Sequence, residues 1–519
     1  MRFEVIPVGG GPRKGIRSRA VLYADSWNDW WEYQTQFYLS IFDDQGAEHD
    51  IGQVKIGEMG MVLQPQGSVA PSIPDKFDRL AEEFFSVGQD VSYYDNLNKL
   101  GEQVRDEALR ALRDIAHDAE ILESTFRERV MSRSLLRSVD LATVEGQFRR
   151  IAKGGARLTE FHASYNTAPP RKNSVGVELT FDVEPESQPP TNIHVLIGRN
   201  GVGKTRILNH MTRVIADNSS KEEEVGSFAV DSPSSTNSSV SDSQGFTSLV
   251  SVTFSAFDPF EPLSRRSRGK AEIKYTYIGL KKVPQGTDSP SAGPKDPSAL
   301  AREFANSVRI CIQGARLGRW RRALQILESD PIFADAQIAG IADAEAEDDD
   351  LKALAQETYR NLSSGHKIVL LTVTRLVETV AERSLVLLDE PEAHLHPPLL
   401  SAFVRALSDL LINRNGVAII ATHSPVVLQE VPKSCVWVLR RSGRTLKAER
   451  PSIETFGENV GILTRAVFGL EVTRSGFHRQ LEEAVESSPD YDAVVAQFNG
   501  RLGAEARAII QGLLASREA

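Results

Sequence analysis

Apolar and polar residues alternate along 36–42 and 51–57, and Asp43-Asp44-Gln45-Gly46 lies between them, which predicts a β-hairpin. A spacing of three to four then takes over. Asp75 is placed to cap a helix carrying Phe77, Leu80, Ala81 and Phe84 on one face, and Val104, Ala108, Ala111, Leu112 and Ile115 repeat the pattern on a second helix. Residues 157–165, 175–183 and 192–197 read as three short strands leading into a glycine-rich turn. Two further strands are predicted at 249–257 and 273–278, followed by helical sequence to about 361. From 362 to about 440 helices and buried strands alternate, and the C-terminal segment from about 480 predicts a helical pair. No internal repeat is visible.

Two stretches break these patterns. Eight of the twelve residues from Ser232 to Ser243 are Ser or Thr, and Lys221-Glu222-Glu223-Glu224 flanks them. Such a stretch buries too little apolar area to offset its ordering entropy, so 217–244 reads as a disordered insert. Residues 284–297 form a second loop rich in Pro, Gly and Ser, and the acidic run 343–350 reads as a solvated face or loop. The resulting organisation is a small α+β N-terminal domain over 1–150, a head over 151–470 with a helical lid at about 300–361, and a helical tail over 471–519.

Composition narrows the class. With 41% hydrophobic and 25% charged residues the chain is not wholly disordered. A net charge of −10 excludes a uniformly basic nucleic-acid coat, though not local basic patches. Cys311 and Cys435 are too few for a disulfide framework. No apolar run approaches about 18 residues and the N-terminus lacks a signal-peptide core, so the expectation is a cytoplasmic protein with no membrane partner.

The candidate chemistry starts at Gly198-Arg199-Asn200-Gly201-Val202-Gly203-Lys204-Thr205, which satisfies G-x-x-x-x-G-K-[ST] between a predicted strand and a helix opening at Arg206. In that context backbone N–H groups and a helix N-terminus surround a phosphate chain. Gly198, Asn200, Gly201, Gly203, Lys204, Thr205 and Arg206 are therefore the nucleotide-binding candidates. Lys204 suits the β/γ-phosphates, and the Thr205 hydroxyl suits Mg²⁺. A second buried strand ends in Asp389-Glu390, where an α/β sheet places its metal chemistry. Asp389 is a metal candidate, and Glu390 a general base for an attacking water. Leu362-Ser363-Ser364-Gly365-His366-Lys367 precedes that strand and opens an apolar helix, offering Ser363 and Gly365 to an anion. His423, downstream of Asp389, follows a strand in Thr422-His423-Ser424-Pro425 and is the second catalytic candidate.

In this order and spacing the motifs resemble the ABC-type ATPases. Residues 363–367 match the signature loop, Asp389-Glu390 the second nucleotide motif and His423 the switch histidine. Asp389-Glu390-Pro391-Glu392-Ala393-His394-Leu395-His396-Pro397, with Ala421-Thr422-His423-Ser424-Pro425, is similar to the RecF, structural-maintenance and overcoming-lysogenisation-defect branch. The resemblance implies an α/β fold, an ABC-type P-loop ATPase head with a mixed sheet, and ATP and Mg²⁺ as cofactors. It also implies head-to-tail pairing of two heads, with Ser363 of one completing the site of the other. His396 falls where transporter and repair ATPases commonly carry the D-loop aspartate. Glu392, His394 and His396 also suggest a metal site, but the resemblance assigns that segment to the dimer interface. Where the family's glutamine loop is expected the chain reads Phe257-Asp258-Pro259-Phe260-Glu261, so either Asp258 substitutes as a water-mediated Mg²⁺ contact or the loop is rearranged. Phe161 and Tyr165 are both candidates for stacking on adenine.

The expected partners follow from the branch. Glu454-Thr455-Phe456-Gly457-Glu458-Asn459-Val460-Gly461 and Phe468-Gly469-Leu470 resemble the stand-alone ATPases of antiphage systems, the Septu ATPase and its retron-associated relatives. That implies a homodimer or higher homo-oligomer gating a separately encoded effector nuclease. Asp490-Tyr491-Asp492 carries the string of a toprim nuclease but leads a helical stretch. Trp27, Trp30 and Trp31 read as core or a partner surface. Arg265, Arg266, Arg268, Lys270, Lys274, Lys281 and Lys282, then Arg316, Arg319, Arg321 and Arg322 around Trp320, suit either a nucleic acid or a solvated or dimer-paired face.

Overall fold

Strand pairing in the computed structural model sorts the described residues into three sheets; these residues are 1–10, 16–27, 29, 32–63, 68–155, 157–169, 176–217, 221–231, 245–254, 260–263, 273–283, 293–313, 315–335, 338–343, 348–443, 445–469 and 476–518. The first sheet contains β1 (Arg2–Ile6), β2 (Arg19–Ala24), β3 (Gln36–Phe42), β4 (Glu48–Glu58), β5 (Lys76–Phe77) and β6 (Phe84–Gly88), in the order β5-β1-β2-β3-β4-β6. The β3–β4 hairpin is the one the alternation predicts. The helix expected from Asp75 is absent: Lys76–Phe77 pairs with β1 and Phe84–Gly88 pairs with β4. Phe77 stacks on Phe3 with ring centroids 4.9 Å apart, and Leu80 and Phe84 are buried. A strand–turn–strand thus buries Leu80 and Phe84, half-buries Phe77 and leaves Ala81 exposed, and cross-strand pairing decides between the two. The helix Glu102–Ala111 carries Val104, Ala108 and Ala111 as predicted, with Leu112 as its C-cap and Ile115 beyond it.

Beyond residue 160 the strands are β7 (Phe161–Asn166), β8 (Glu178–Val183), β9 (Ile193–Gly198), β10 (Ser227–Asp231), β11 (Ser248–Thr253), β12 (Lys274–Gly279), β13 (Ser384–Asp389), β14 (Val417–Thr422), β15 (Val436–Ser442) and β16 (Thr445–Glu449). An antiparallel sheet of order β10-β7-β8 lies beside a larger one of order β12-β11-β13-β14-β9-β15-β16, which is parallel from β12 to β15 and closes with antiparallel β16. Part of the expected disordered insert is therefore ordered. Glu222–Val225 is a helical turn, and Ser227–Asp231 pairs with β7 from Asn166 to His162. The Ser/Thr-rich residues 232–244 lie outside the described residues.

The central strands alternate between two cores, as the two-residue period of a strand requires. Ile193, Val195, Val386, Leu388, Ala418 and Ile420 face a cluster built on the helices Pro297–Cys311, Ala315–Leu327, Ser364–Thr379 and Pro397–Asn413. Leu196, Leu385, Leu387, Ile419 and Ala421 face the other side, against the helix Lys204–Ala216 and the β10-β7-β8 sheet. Burial of both faces explains why β9, β13 and β14 read as continuous apolar runs.

Polar contacts join the N-terminal sheet to the head. The Gln147 N–H donates to Glu382 at 2.9 Å and its side-chain amide to the Asn413 carbonyl at 2.6 Å. Arg319 donates to Asp90, which also caps the helix Val91–Lys99 through the Ser92 N–H. Burial pushes the Asp90 carboxyl up, but Arg319 and the Ser92 hydrogen bonds outweigh it and hold the group below the usual carboxylate range. The tail forms three helices rather than a pair, Phe477–Ser487, Tyr491–Gln497 and Ala504–Glu518, around Leu481, Val485, Val494 and Ile510. Among the described residues no helix is long and apolar enough to cross a membrane.

Candidate functional site

Sheet order brings the motif residues together. β9 lies between β14 and β15, and β13 pairs with β14, so Gly198, Asp389 and Thr422 all end neighbouring parallel strands at their C-terminal edge. The chain leaves β9 through a loop in which Gly201 and Gly203 have φ of +79° and +110°, a conformation that strongly favours glycine. The helix Lys204–Ala216 starts directly afterwards. Lys204 is buried and donates to the carbonyls of Gly198 at 3.0 Å and Arg199 at 3.2 Å, curling the loop round its ammonium group. Asn200 and Arg206 are exposed at the rim of this loop and helix.

Glu390 follows β13 in a left-handed conformation, φ +45°, which costs a non-glycine residue about 1 kcal/mol or more. Its N–H donates to the Ala421 carbonyl at 2.8 Å, and this fixes the turn. Glu390 Oε1 lies 3.8 Å from Lys204 Nζ and 3.9 Å from His423 Nδ1. Sequence reasoning missed the group that holds His423. Glu392 Oε1 accepts from the Thr422 hydroxyl at 2.6 Å and the His423 N–H at 2.6 Å, and lies 3.0 Å from His423 Nδ1. An ionised carboxylate only accepts, so this contact places a proton on Nδ1 and turns Nε2 outward. The available signal was the i, i+2 spacing of Glu390 and Glu392.

Thr205 and Asp389 line one small cavity with Thr253 and Glu261. The Thr253 hydroxyl is buried with no hydrogen-bond partner among the described residues. A hydroxyl, a strand-end carboxylate and an unspent hydroxyl make an oxygen-rich donor set that fits a hydrated Mg²⁺. Asp258 lies outside the described residues, and Glu261, three positions on, is an acid at this cavity that sequence reasoning did not name. A second cavity of about 340 Å³ opens beside the loop, with Gly203, Arg206, His210, Thr167, Val177 and Leu446 in its wall. Burial, then Arg206 and Arg213, push the His210 imidazole down to about 4, so it is neutral there. Of the two aromatic candidates, Tyr165 also lines this second cavity and Phe161 does not. Tyr165 is fully buried with its hydroxyl donated to the Val225 carbonyl, and Phe161 packs on Phe246.

Ser363 caps the helix Ser364–Thr379, and its Oγ lies 2.6 Å from His366 Nδ1. Gly365 presses against the turn after Glu390, where a Cβ would sit 2.3 Å from the His394 carbonyl oxygen. Glu392, His394 and His396 do not form one cluster: Glu392 turns to His423, while His396 Nε2 lies 3.0 Å from Asp330. Nor does Trp320 present a stacking face. It is buried and donates to Thr374, while Arg319 and Arg322 pair with Asp90 and Asp409. Lys274, Lys281 and Lys282 are described, whereas Arg265, Arg266, Arg268 and Lys270 lie outside the described residues, as do Trp30, Trp31 and Leu470. Asp490 caps the helix Tyr491–Gln497 through the Ala493 N–H, a structural task.

Residues 302–429 match a family described as "AAA domain, putative AbiEii toxin, Type IV TA system". This span includes the signature loop, Asp389-Glu390 and His423. Among solved structures, an ATP-binding cassette of an ABC transporter in its ADP conformation, MJ1267, is 13% identical, with 61% of this chain and 98% of that chain covered at a TM-score of 0.29. UvrA2 of Deinococcus radiodurans is 16% identical over 55% of this chain and 37% of its own, at a TM-score of 0.23. Protein ea59 of Escherichia phage lambda is 42% identical over 537 aligned positions, spanning 100% of this chain and 99% of that protein. The sheet order and the converging motifs give the head the fold of an ABC-type P-loop ATPase, and the end-to-end match means that the chain belongs to the family of phage lambda protein ea59.

Proposed function

We propose that this chain is an ATP-hydrolysing switch in which ATP docks two copies head to tail and hydrolysis releases them. The observation that carries the reading is the convergence of Glu390 Oε1 on Lys204 and His423, at 3.8 and 3.9 Å. Lys204 and the N–H groups from Gly198 to Thr205, with Asn200 and Arg206 at the rim, bind the triphosphate. Thr205 and Asp389 would hold Mg²⁺, which would supply charge neutralisation at the phosphates. Glu390 takes the proton of the attacking water, and His423, oriented by Glu392, faces the γ-phosphate. The cavity beside Arg206 and His210 takes the base and ribose.

Ser363 and Gly365 act on the nucleotide of the second copy. In support, Ser363 bonds within its own loop, to His366. The Glu454–Gly461 segment with Phe468-Gly469-Leu470, in its likeness to antiphage ATPases, supports a separately encoded effector nuclease as the element gated, in a cytoplasmic antiphage or DNA-associated complex. Sizing the Glu390→Gln protein by light scattering with and without Mg²⁺-ATP tests this. The expected result is a dimer only with ATP, lost again in Ser363→Ala/Glu390→Gln; an ATP-independent mass would sink it.

A further inference from the structure

At the signature loop three metal-ligating side chains converge. Asp330 follows the helix Ala315–Leu327 and is 3% exposed. Its Oδ1 lies 3.1 Å from His366 Nε2 and its Oδ2 3.0 Å from His396 Nε2. His366 is buried in the signature loop, and His396 stands half-exposed at the start of the helix Pro397–Asn413. One ligand atom from each of the three lies within 4.8 Å of the others.

No Lys or Arg pairs with this cluster among the described residues. A buried carboxylate is costly unless a cation accompanies it. Among the described residues the ion-pair partners of Asp330 are these two imidazoles, with no Lys or Arg. The Ile332 N–H also donates to Oδ1, at 2.9 Å, which orients the carboxylate without neutralising it. Two imidazoles and one carboxylate are the donor set of zinc-like ions, whereas Mg²⁺ prefers all-oxygen surroundings. Ligand atoms about 2.0–2.1 Å from a tetrahedral ion stand about 3.3 Å apart. The 3.0 and 3.1 Å separations, each to a different oxygen of Asp330, open slightly on binding, and the three ligand atoms, all within 4.8 Å of one another, adjust to that spacing.

We propose that Asp330, His366 and His396 hold a first-row divalent transition metal of the Zn²⁺ class, with its fourth position open on the exposed His396 side. The outer contacts fit unequally. His366 already sets Nδ1 against Ser363 Oγ at 2.6 Å, the second hydrogen bond that orients a metal-bound imidazole. His396 Nδ1 accepts from the Leu399 N–H at 3.4 Å, and that long bond is given up when Nε2 takes the ion.

Metal occupancy has a consequence that rests on the ATPase reading. With an ion on Nε2, His366 carries its proton on Nδ1 and donates to Ser363 Oγ, which frees the Ser363 hydroxyl proton for a phosphate of the second copy. Without the ion, Nε2–H donates to Asp330 and Nδ1 accepts the Ser363 proton, so serine lone pairs face the anion. Because Gly365 abuts the His394 carbonyl, the ion also ties the signature loop to the 394–396 turn.

The test is made on the untagged full chain, stripped with a chelator, re-equilibrated with Zn²⁺ and assayed by elemental analysis and competition with a chromophoric chelator. Wild type and His423→Ala are expected to keep one Zn²⁺ equivalent that Asp330→Asn and His396→Ala lose or bind at least tenfold more weakly. His396 is half-exposed, so its variant stays informative if Asp330→Asn fails to fold. A wild-type zinc content no higher than that of His396→Ala overturns the proposal. Mg²⁺-ATP turnover on the same samples separates the two readings. Zinc without turnover defeats only the ATPase reading, and turnover without zinc defeats only the metal site.

Discussion

Glu392→Ala removes the one carboxylate oxygen that gathers the Thr422 hydroxyl, the His423 N–H and His423 Nδ1 at 2.6, 2.6 and 3.0 Å. A hydrogen bond to a charged group is worth about 1.5–3 kcal/mol. If the Nδ1 contact is spent on orienting His423 in the transition state, its loss lowers kcat about 10- to 150-fold, at about 1.36 kcal/mol per factor of ten. KM for ATP stays close to wild type, because Glu392 bonds to the Thr422–His423 segment and not to Lys204 or its loop. The assay is steady-state phosphate release across ATP concentrations on Glu392→Ala, Glu392→Gln, His423→Ala and the Glu392→Ala/His423→Ala double variant. Gln keeps an acceptor oxygen and restores most of the rate. If Glu392 acts through His423, the double variant is no slower than His423→Ala alone. Multiplicative losses, or a Glu392→Ala protein that turns over like wild type, refute the assignment.

Lys204→Ala removes the ammonium around which the loop closes, so the Kd for a fluorescent ATP analogue is expected to rise at least tenfold, read by titration. Gly365→Ala drives a methyl to within 2.3 Å of the His394 carbonyl, so the loop must shift. ATP-dependent association is then lost in sizing experiments while nucleotide binding survives. His194 is fully buried in β9 with neither ring nitrogen hydrogen-bonded among the described residues, and burial, then Arg450, push its imidazole down to about 3. The unfolded chain, with a histidine near 6.5, binds the extra proton between these values, so this stability term is present above pH 6.5 and is lost as pH falls toward 3. At pH 5 the loss is about 2 kcal/mol. His194→Leu should show a smaller fall in denaturant midpoint between pH 7 and pH 5 than wild type does; equal slopes would refute the origin.

The phosphate loop, Asp389-Glu390 and His423 were legible because each sits where an apolar strand ends, and parallel strands buried on both faces leave an unmistakable run. The hairpin of β3 and β4 was legible for the matching reason, alternation with a turn between. The stretch from Lys76 to Gly88 was not, since Phe77, Leu80 and Phe84 satisfy helical spacing while β1 and β4, both remote in sequence, claim its two ends as strands. Strand β10 was hidden because Ser227–Asp231 adjoins the Ser/Thr-rich run, and its stabilising partner, β7, lies on the far side of the phosphate loop in the chain. At the site, what escaped was the set of groups that orient others. Glu392 stands in the Asp389–Pro397 motif without its role being readable there and Asp330 stands in none, and their roles exist only once His423, His366 and His396 are brought to them by the fold.

Phosphate release from Mg²⁺-ATP by wild type and by Glu390→Gln, measured side by side with nucleotide affinity, tests the account most directly. The expectation is steady turnover by wild type and undiminished ATP binding by Glu390→Gln with release at least 100-fold slower, as removal of a general base requires. Equal turnover by the two proteins, or no turnover by either, would contradict it.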